Sequence, residues 1–228
     1  KPYCSGTNWR QKMAEDFIRF DDIQQAKHDL ISLGLPTELA IDFGPSFRPE
    51  YLERAARNGA DYTLGIDQVR AEFTEGIDFH RADFSRDEIV PWIVDYRTKY
   101  PGKCLGIMFD TLIHQYAPVQ VLQNLLSVLD YACIGCPVIR KESPNCTFLP
   151  AVPRKDQDSL FPHSWMPREQ GFAEKSTYTW KHWLWGIPPN LIKTWIKREN
   201  FDIVAEKTIK RPNAWDWWGC YAIGKPKK

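Results

Sequence analysis

"ELAIDFGPSFRPEYLERAARNGA", Glu38 to Ala60, runs from an apolar stretch ending in an acid, through a glycine and two prolines, into a charged segment. Leu39 to Phe43 reads as a strand, and the glycine after it as a sharp turn. Pro49 to Asn58 reads as a helix, because Leu52, Ala55 and Ala56 fall on one face. Gly59 stands where a left-handed residue closes a helix. A strand that turns directly into a helix opens a parallel α/β unit, and the neighbouring segments extend the pattern.

Upstream, Lys12 to Leu33 carries Met13, Phe17, Phe20, Leu30 and Leu33 near helical spacing, with Gly34 and Pro36 as a stop. Downstream, Tyr62 to Asp67 is a second strand and Ile77 to Phe79 a short third. "RDEIVPWIVDYRTKY", Arg86 to Tyr100, is a helix interrupted near Pro91, and Leu105 to Phe109 a fourth strand. Val119, Leu122, Leu125, Leu126 and Leu129 mark a helix with one buried stripe. Ala132 to Ile139 is an apolar run suited to a strand covered on both faces. From Arg140 to Gly186 the period dissolves among Pro, Lys, His and Trp, as expected of an insertion over a site or of a disordered loop, and its aromatics favour the insertion. "PPNLIKTWIKREN" restores a helix, and "FDIVAEKTIK" and "DWWGCYAIGK" follow as strands. The link between them, "RPNAW", is too short for a parallel crossover, so the last two strands are antiparallel. The sum is an open, seven-stranded, mostly parallel Rossmann-like α/β sheet with helices on both faces.

Thirty basic and 29 acidic residues leave a net charge of +1, so no overall field recruits nucleic acid or an anionic membrane. The most apolar stretch, Val119 to Ile139, is broken by Gln120, Gln123, Asn124 and Asp130 and is no membrane span. No signal-peptide pattern opens the sequence, and the start at Lys1 instead of Met leaves room for an excised domain. Six cysteines sit mostly in apolar segments, which suits reduced thiols in a cytoplasmic protein. Cys133 and Cys136 form a Cys-x-x-Cys within a strand, where core packing is expected and no metal. Most of the ten tryptophans follow position 160, as if to wall a pocket in the C-terminal third.

In an open α/β sheet, ligands bind beyond the carboxyl ends of the strands. The turn after Phe43 lacks the later glycines of a dinucleotide fingerprint: Ser46 and Pro49 occupy those places, and no Gly-Lys-Ser/Thr run occurs anywhere. Three acids make a different set. Asp42 ends the first strand. Asp67 ends the second, 25 residues on, and can accept both hydroxyls of a ribose. Asp83, in "HRADFS", can accept an adenine amino group while Phe84 or Ala82 packs on the ring. Together these point to a nucleoside ligand without an anionic tail.

With these motifs the sequence resembles the class I S-adenosylmethionine-dependent methyltransferases of small-molecule type, over nearly its whole length. "AIDFGPS" stands at the family's acid and glycine motif, "LGIDQV" at its ribose-binding acid and "RADF" at its adenine-binding acid. "FDTLIHQYAPVQVLQNLLSVLD" looks like the fourth strand and its helix, and "HWLWGIPPNLIKTWIKRENFDIVAE" is similar to the segment before the sixth strand. The family usually writes Asp-x-Gly-x-Gly, whereas here Ser46 replaces the second glycine.

The resemblance implies a single domain over 1–228, with a helical segment 1–34 and a cap at about 140–186. It implies S-adenosyl-L-methionine as cofactor, held by Asp42, Gly44, Pro45, Ser46, Asp67, Gln68, Asp83, Phe84, Phe109 and Asp110, with Trp9 and Arg10 closing over the methionine end. His114, His163 and His182 are candidate general bases, and Tyr178, Trp165, Trp183 and Trp185 candidate walls for the acceptor. The implied reaction moves a methyl group to an oxygen or nitrogen of a small, natural-product or sugar-like acceptor, in a monomer or homodimer. The alternatives are an inactive methyltransferase-fold scaffold and an RNA methyltransferase; the near-neutral charge and the lack of an RNA module speak against the latter.

Overall fold

In the computed structural model the described residues are 22–45, 49–68, 75–115, 117–139, 145–148, 185–210 and 217–226. The apolar runs become strands β1 (Leu39–Phe43), β2 (Tyr62–Asp67), β4 (Cys104–Phe109) and β5 (Tyr131–Val138), all parallel, with β3 (Asp78–Arg81) beside β2. Strands β8 (Asp202–Lys210) and β9 (Trp217–Gly224) form the antiparallel pair, and β9 also runs antiparallel to β5. The sheet order is β3-β2-β1-β4-β5-β9-β8. Because β1 has β2 on one side and β4 on the other, the connections diverge at β1 and leave a crevice beyond its carboxyl end.

Two apolar layers cover the sheet. On one face α1 (Ile23–Ile31) and α2 (Glu50–Arg57) bury Ala26, Leu30, Ile31, Leu52 and Ala55 against Ala40, Leu105, Ile107 and Ala222. On the other, α3 (Ile89–Lys99), α4 (Pro118–Ser127) and α5 (Pro189–Arg198) bury Ile93, Leu122, Leu126, Ile192 and Ile196 against Ile41, Phe43, Met108 and Ile134. Burying one such side chain on folding contributes about 1.5–3 kcal/mol, so the two layers supply the main driving force.

Two expectations change. A continuous helix from Lys12 to Leu33 does not form: Asp22 has extended backbone, and its carboxylate accepts the Gln25 N–H at 2.8 Å, capping a helix that starts at Ile23. Residues 12–21 lie outside the described ones. Pro91 interrupts nothing, since α3 begins at Ile89 and Pro91 falls in its first turn, where the missing N–H has no helical partner to lose. Most of the 140–186 insertion lies outside the described residues, but β6 (Thr147–Phe148) pairs antiparallel with β7 (Trp185–Gly186). Cys133 and Cys136 are both buried and join the apolar layers on opposite faces of β5, as three-residue spacing along a strand dictates. Among the described residues no helix is long and apolar enough to cross a membrane.

Candidate functional site at the carboxyl ends of β1, β2 and β4

Asp42 follows Leu39, Ala40 and Ile41 and shares Ala40's side of β1, toward α1 and α2. It is 2% exposed, and its Oδ2 has no hydrogen-bond partner among the described residues. Burial pushes its carboxyl well above the ordinary carboxylate range; the charges of Asp67 and Glu50 push the same way, and only Lys27 opposes them. Gly44 carries the chain out of β1 with φ +85°, its N–H donating to Ile66 O at 2.9 Å. A Cβ there would lie 2.7 Å from Thr111 Cγ2, so any other residue both strains the backbone and closes the gap between β1 and the segment after β4. Pro45 is buried.

The acids expected at the next two strand ends differ in commitment. Asp67 is the half-buried last residue of β2, near enough for its charge to act on Asp42. Gln68 is exposed, and its carbonyl accepts Arg81 Nε at 3.0 Å. Asp83 is turned back on its own loop: Oδ1 accepts the Ser85 N–H at 3.0 Å and the Ser85 hydroxyl at 2.6 Å, while Arg86 Nε reaches Oδ2 at 3.4 Å. Burial pushes this carboxyl up, but the Ser85 bonds and then Arg86 outweigh it and hold it below its ordinary value. Phe84 packs edge-on against Phe43, ring centroids 5.9 Å apart, and lies next to Gly44.

After β4 the chain makes a second forced turn. Asp110 has φ +59°, and its N–H donates to Gly135 O at 2.6 Å. Both of its carboxylate oxygens are engaged: Oδ2 meets Lys27 Nζ at 2.5 Å, and Oδ1 accepts Trp218 Nε1 at 2.8 Å. Lys27 is 6% exposed on the inward stripe of α1, with its ammonium 5.6–5.9 Å from the ring centroids of Tyr51, Phe109 and Trp218. An ammonium at that distance from aromatic faces is stabilised by the rings as well as by the carboxylate. Phe109 also meets Tyr51 edge-on at 5.0 Å. Asp110 therefore anchors α1 and β9 to the end of β4.

Next along the chain, Thr111 Oγ1 is shielded from solvent and has no partner among the described residues. His114 ends the 3₁₀ turn Leu112–His114, and Trp185 is fastened to the same turn by its indole N–H, which donates to Gln115 O at 2.7 Å. The structure thus brings together Asp42, Gly44, Asp67, Phe84 and Asp110 at the crevice, with His114 on the turn beyond β4 and Trp185 of β7 bonded to that turn. Trp9, Arg10, Ser46, His163, Trp165, Tyr178, His182 and Trp183 lie outside the described residues. Lys27, Tyr51, Thr111 and Trp218 are additions to the expected set. The signal for Lys27 was a lysine among Ala26, Leu30 and Ile31 on an apolar helical stripe; Thr111 carried no comparable signal.

The groups without partners decide what the crevice can hold. A buried carboxyl oxygen and a buried hydroxyl flank a turn that only glycine makes without strain, which fits a ligand that enters beside β1 and donates hydrogen bonds. An adenosine-bearing amino acid such as S-adenosylmethionine has donors of this kind.

No protein-family model matches the sequence, and no curated protein matches it either. Solved structures do. The 1,6-didemethyltoxoflavin-N1-methyltransferase of Burkholderia thailandensis, seen with 1,6-didemethyltoxoflavin and S-adenosylhomocysteine, matches 96% of this chain over 87% of its own, at 13% identity and a TM-score of 0.54. The [4+2]-cyclase SpnF matches 92% of this chain over 84% of its own, at 11% identity and a TM-score of 0.53. The N-terminal domain of EvdMO1, with S-adenosylhomocysteine bound, matches 97% over 82%, at 8% identity and a TM-score of 0.50. The chain has the class I S-adenosylmethionine-dependent methyltransferase fold. Identities this low establish a fold and not a reaction, and a cyclase among the matches makes the same point.

Proposed function

We propose that the protein binds S-adenosylmethionine in the β1–β2–β4 crevice and transfers its methyl group to an oxygen or nitrogen of a small molecule. The observation that carries this is the crevice itself: among the described residues Asp42 Oδ2 and Thr111 Oγ1 lack partners on either side of a glycine at φ +85°. Asp42 and Thr111 accept from the amino-acid end of the cofactor, Asp67 accepts from the ribose hydroxyls, and Phe84 and the Asp83 turn bound the adenine side. The bound cofactor supplies an electrophilic methyl group on a sulfonium. The protein's main contribution is alignment of the acceptor, an effect that reaches effective molarities of about 10⁵–10⁸ M in intramolecular models.

On the acceptor side, His114 takes the proton of a hydroxyl acceptor, and Trp185 walls the space beside it. An amine acceptor needs no base. That the neighbours of known chemistry include an N1-methyltransferase supports a nitrogen or oxygen acceptor on a small ring compound.

Calorimetric titration with S-adenosylmethionine and S-adenosylhomocysteine tests the reading. The expected result is micromolar binding of both, weakened at least tenfold by Asp67→Ala, since charge-assisted bonds contribute about 1.5–3 kcal/mol each. Folded protein that binds neither at millimolar ligand would replace the enzyme reading with that of a scaffold.

A further inference from the structure

Asp42 has a chemistry that the cofactor reading does not by itself supply. A carboxylate ion 2% exposed is stable only beside a cation or a set of donors, and Oδ2 has neither among the described residues. Of the described elements around it, α1 presents Lys27, α2 presents Glu50 and β2 presents Asp67. Two of these three are acids. The third is tied up, its Nζ drawn 2.5 Å from Asp110 Oδ2 and seated among the rings of Tyr51, Phe109 and Trp218. Lys27 thus influences Asp42 through space while its direct contact belongs to another carboxylate.

We propose that Asp42 is an exchange point, neutral in the free protein, that gives up one proton to solvent as it takes up the ammonium group of an incoming ligand. The O–H bond of the carboxyl breaks, the proton leaves the protein, and the ligand's N–H groups take its place; no bond to the ligand becomes covalent. Recognition of the amino-acid end is then selective for a cation, because a hydroxyl or neutral amide in the same place leaves the proton where it was. The identity of the ligand as an adenosyl amino acid rests on the function proposed above. The exchange itself does not, because the ligand-free protein can be tested.

Two measurements decide it. The first titrates S-adenosylmethionine at about pH 6.5, where an α-ammonium is charged, in phosphate and in Tris, whose ionisation enthalpies differ. A difference in observed heat that corresponds to release of close to one proton is expected for the wild type. None is expected for Asp42→Asn, nor for a cofactor analogue lacking the α-amino group, which should also bind at least tenfold more weakly. Tight binding with equal heats in both buffers overturns the proposal and leaves the cofactor reading intact.

The second measurement needs no ligand: the unfolding free energies of wild type and Asp42→Asn from roughly pH 5 to 8. A neutral buried acid makes the gap open in favour of asparagine as pH rises, and a flat gap overturns the proposal even where no cofactor binds. Asparagine matches aspartic acid in shape, so the variant is expected to fold. Should it not, Asp42→Ser keeps a neutral polar group in a smaller volume and must show the same loss of proton release.

Discussion

Asp42 and Asp130 are the same chemical group at opposite ends of the same sheet, and they have opposite surroundings. Asp130, at the amino edge, accepts from the Cys104 N–H at 3.0 Å, from Arg97 Nη2 at 2.8 Å and from Lys103 Nζ at 3.2 Å. Burial works against its charge, but these bonds and cations hold the carboxyl below its ordinary value. Asp42, at the carboxyl edge, is held above its ordinary value by burial first and then by Asp67 and Glu50, and among the described residues the one cation opposing them is the engaged Lys27. One end of the sheet satisfies its acid and is a staple. The other leaves its acid without a bonded partner among the described residues, which is why the proposed ligand is placed there.

The contrast is testable, and the largest effect belongs to the pair that joins α1 to the site. Lys27→Met removes the cation from Asp110, a break in a largely buried pair, and is expected to lower stability by about 3 kcal/mol in denaturant titrations. Asp130→Asn strips the staple of its charge, with a loss of about 2 kcal/mol and no change in cofactor affinity. If cofactor affinity fell as much as stability did, the division between staple and site would be wrong.

Acidity separates the two acids by sign. Asp130 has a lowered folded value, so its contribution is present above the unfolded value near pH 4 and disappears as pH falls through the folded one. Asp42 has a raised value, so its contribution is complete below about pH 4 and is lost as pH rises through the folded one. The stability gap between wild type and Asp130→Asn should narrow on acidification. The gap between Asp42→Asn and wild type should widen on alkalinisation, with a limiting slope of about 1.4 kcal/mol per pH unit.

The smallest effect is expected at Thr111. Replacing it by valine removes a buried hydroxyl that has no partner among the described residues, so stability should change by less than about 0.5 kcal/mol while cofactor affinity falls roughly fivefold. A stability loss above about 1 kcal/mol would mean that the hydroxyl has a structural partner after all.

Much of this architecture could be read from residues alone. The buried parallel strands announced themselves as apolar runs, and Asp42 and Gly44 stood out as an acid and a glycine at the end of one of them. Asp22 and Pro91 misled because each lies close to a helix end: the periodicity extended past the cap at one, and the proline sat inside the first turn at the other. The carboxylates were harder. Nothing in "RADFS" says that Asp83 folds back onto Ser85, and nothing in "MFDTL" says that Asp110 bonds Lys27, 83 residues earlier, and Trp218, 108 residues later. Local pattern reports which residues are polar at a strand end. Which partners such a residue takes can depend on residues close by, as at Asp83, or distant in sequence, as at Asp110.

Strand β9 follows all the other described strands in sequence, yet it sits inside the sheet, with β5 on one side and β8 on the other. During synthesis Asp202–Lys210 leaves the ribosome before Trp217–Gly224, and until the latter arrives β8 has nothing to pair with. The apolar edge of β5 waits open for the same interval, and Asp110 waits for the indole of Trp218. The place between β5 and β8 is therefore filled by the strand that comes last among the described ones, a long-range pairing of the kind that slows folding.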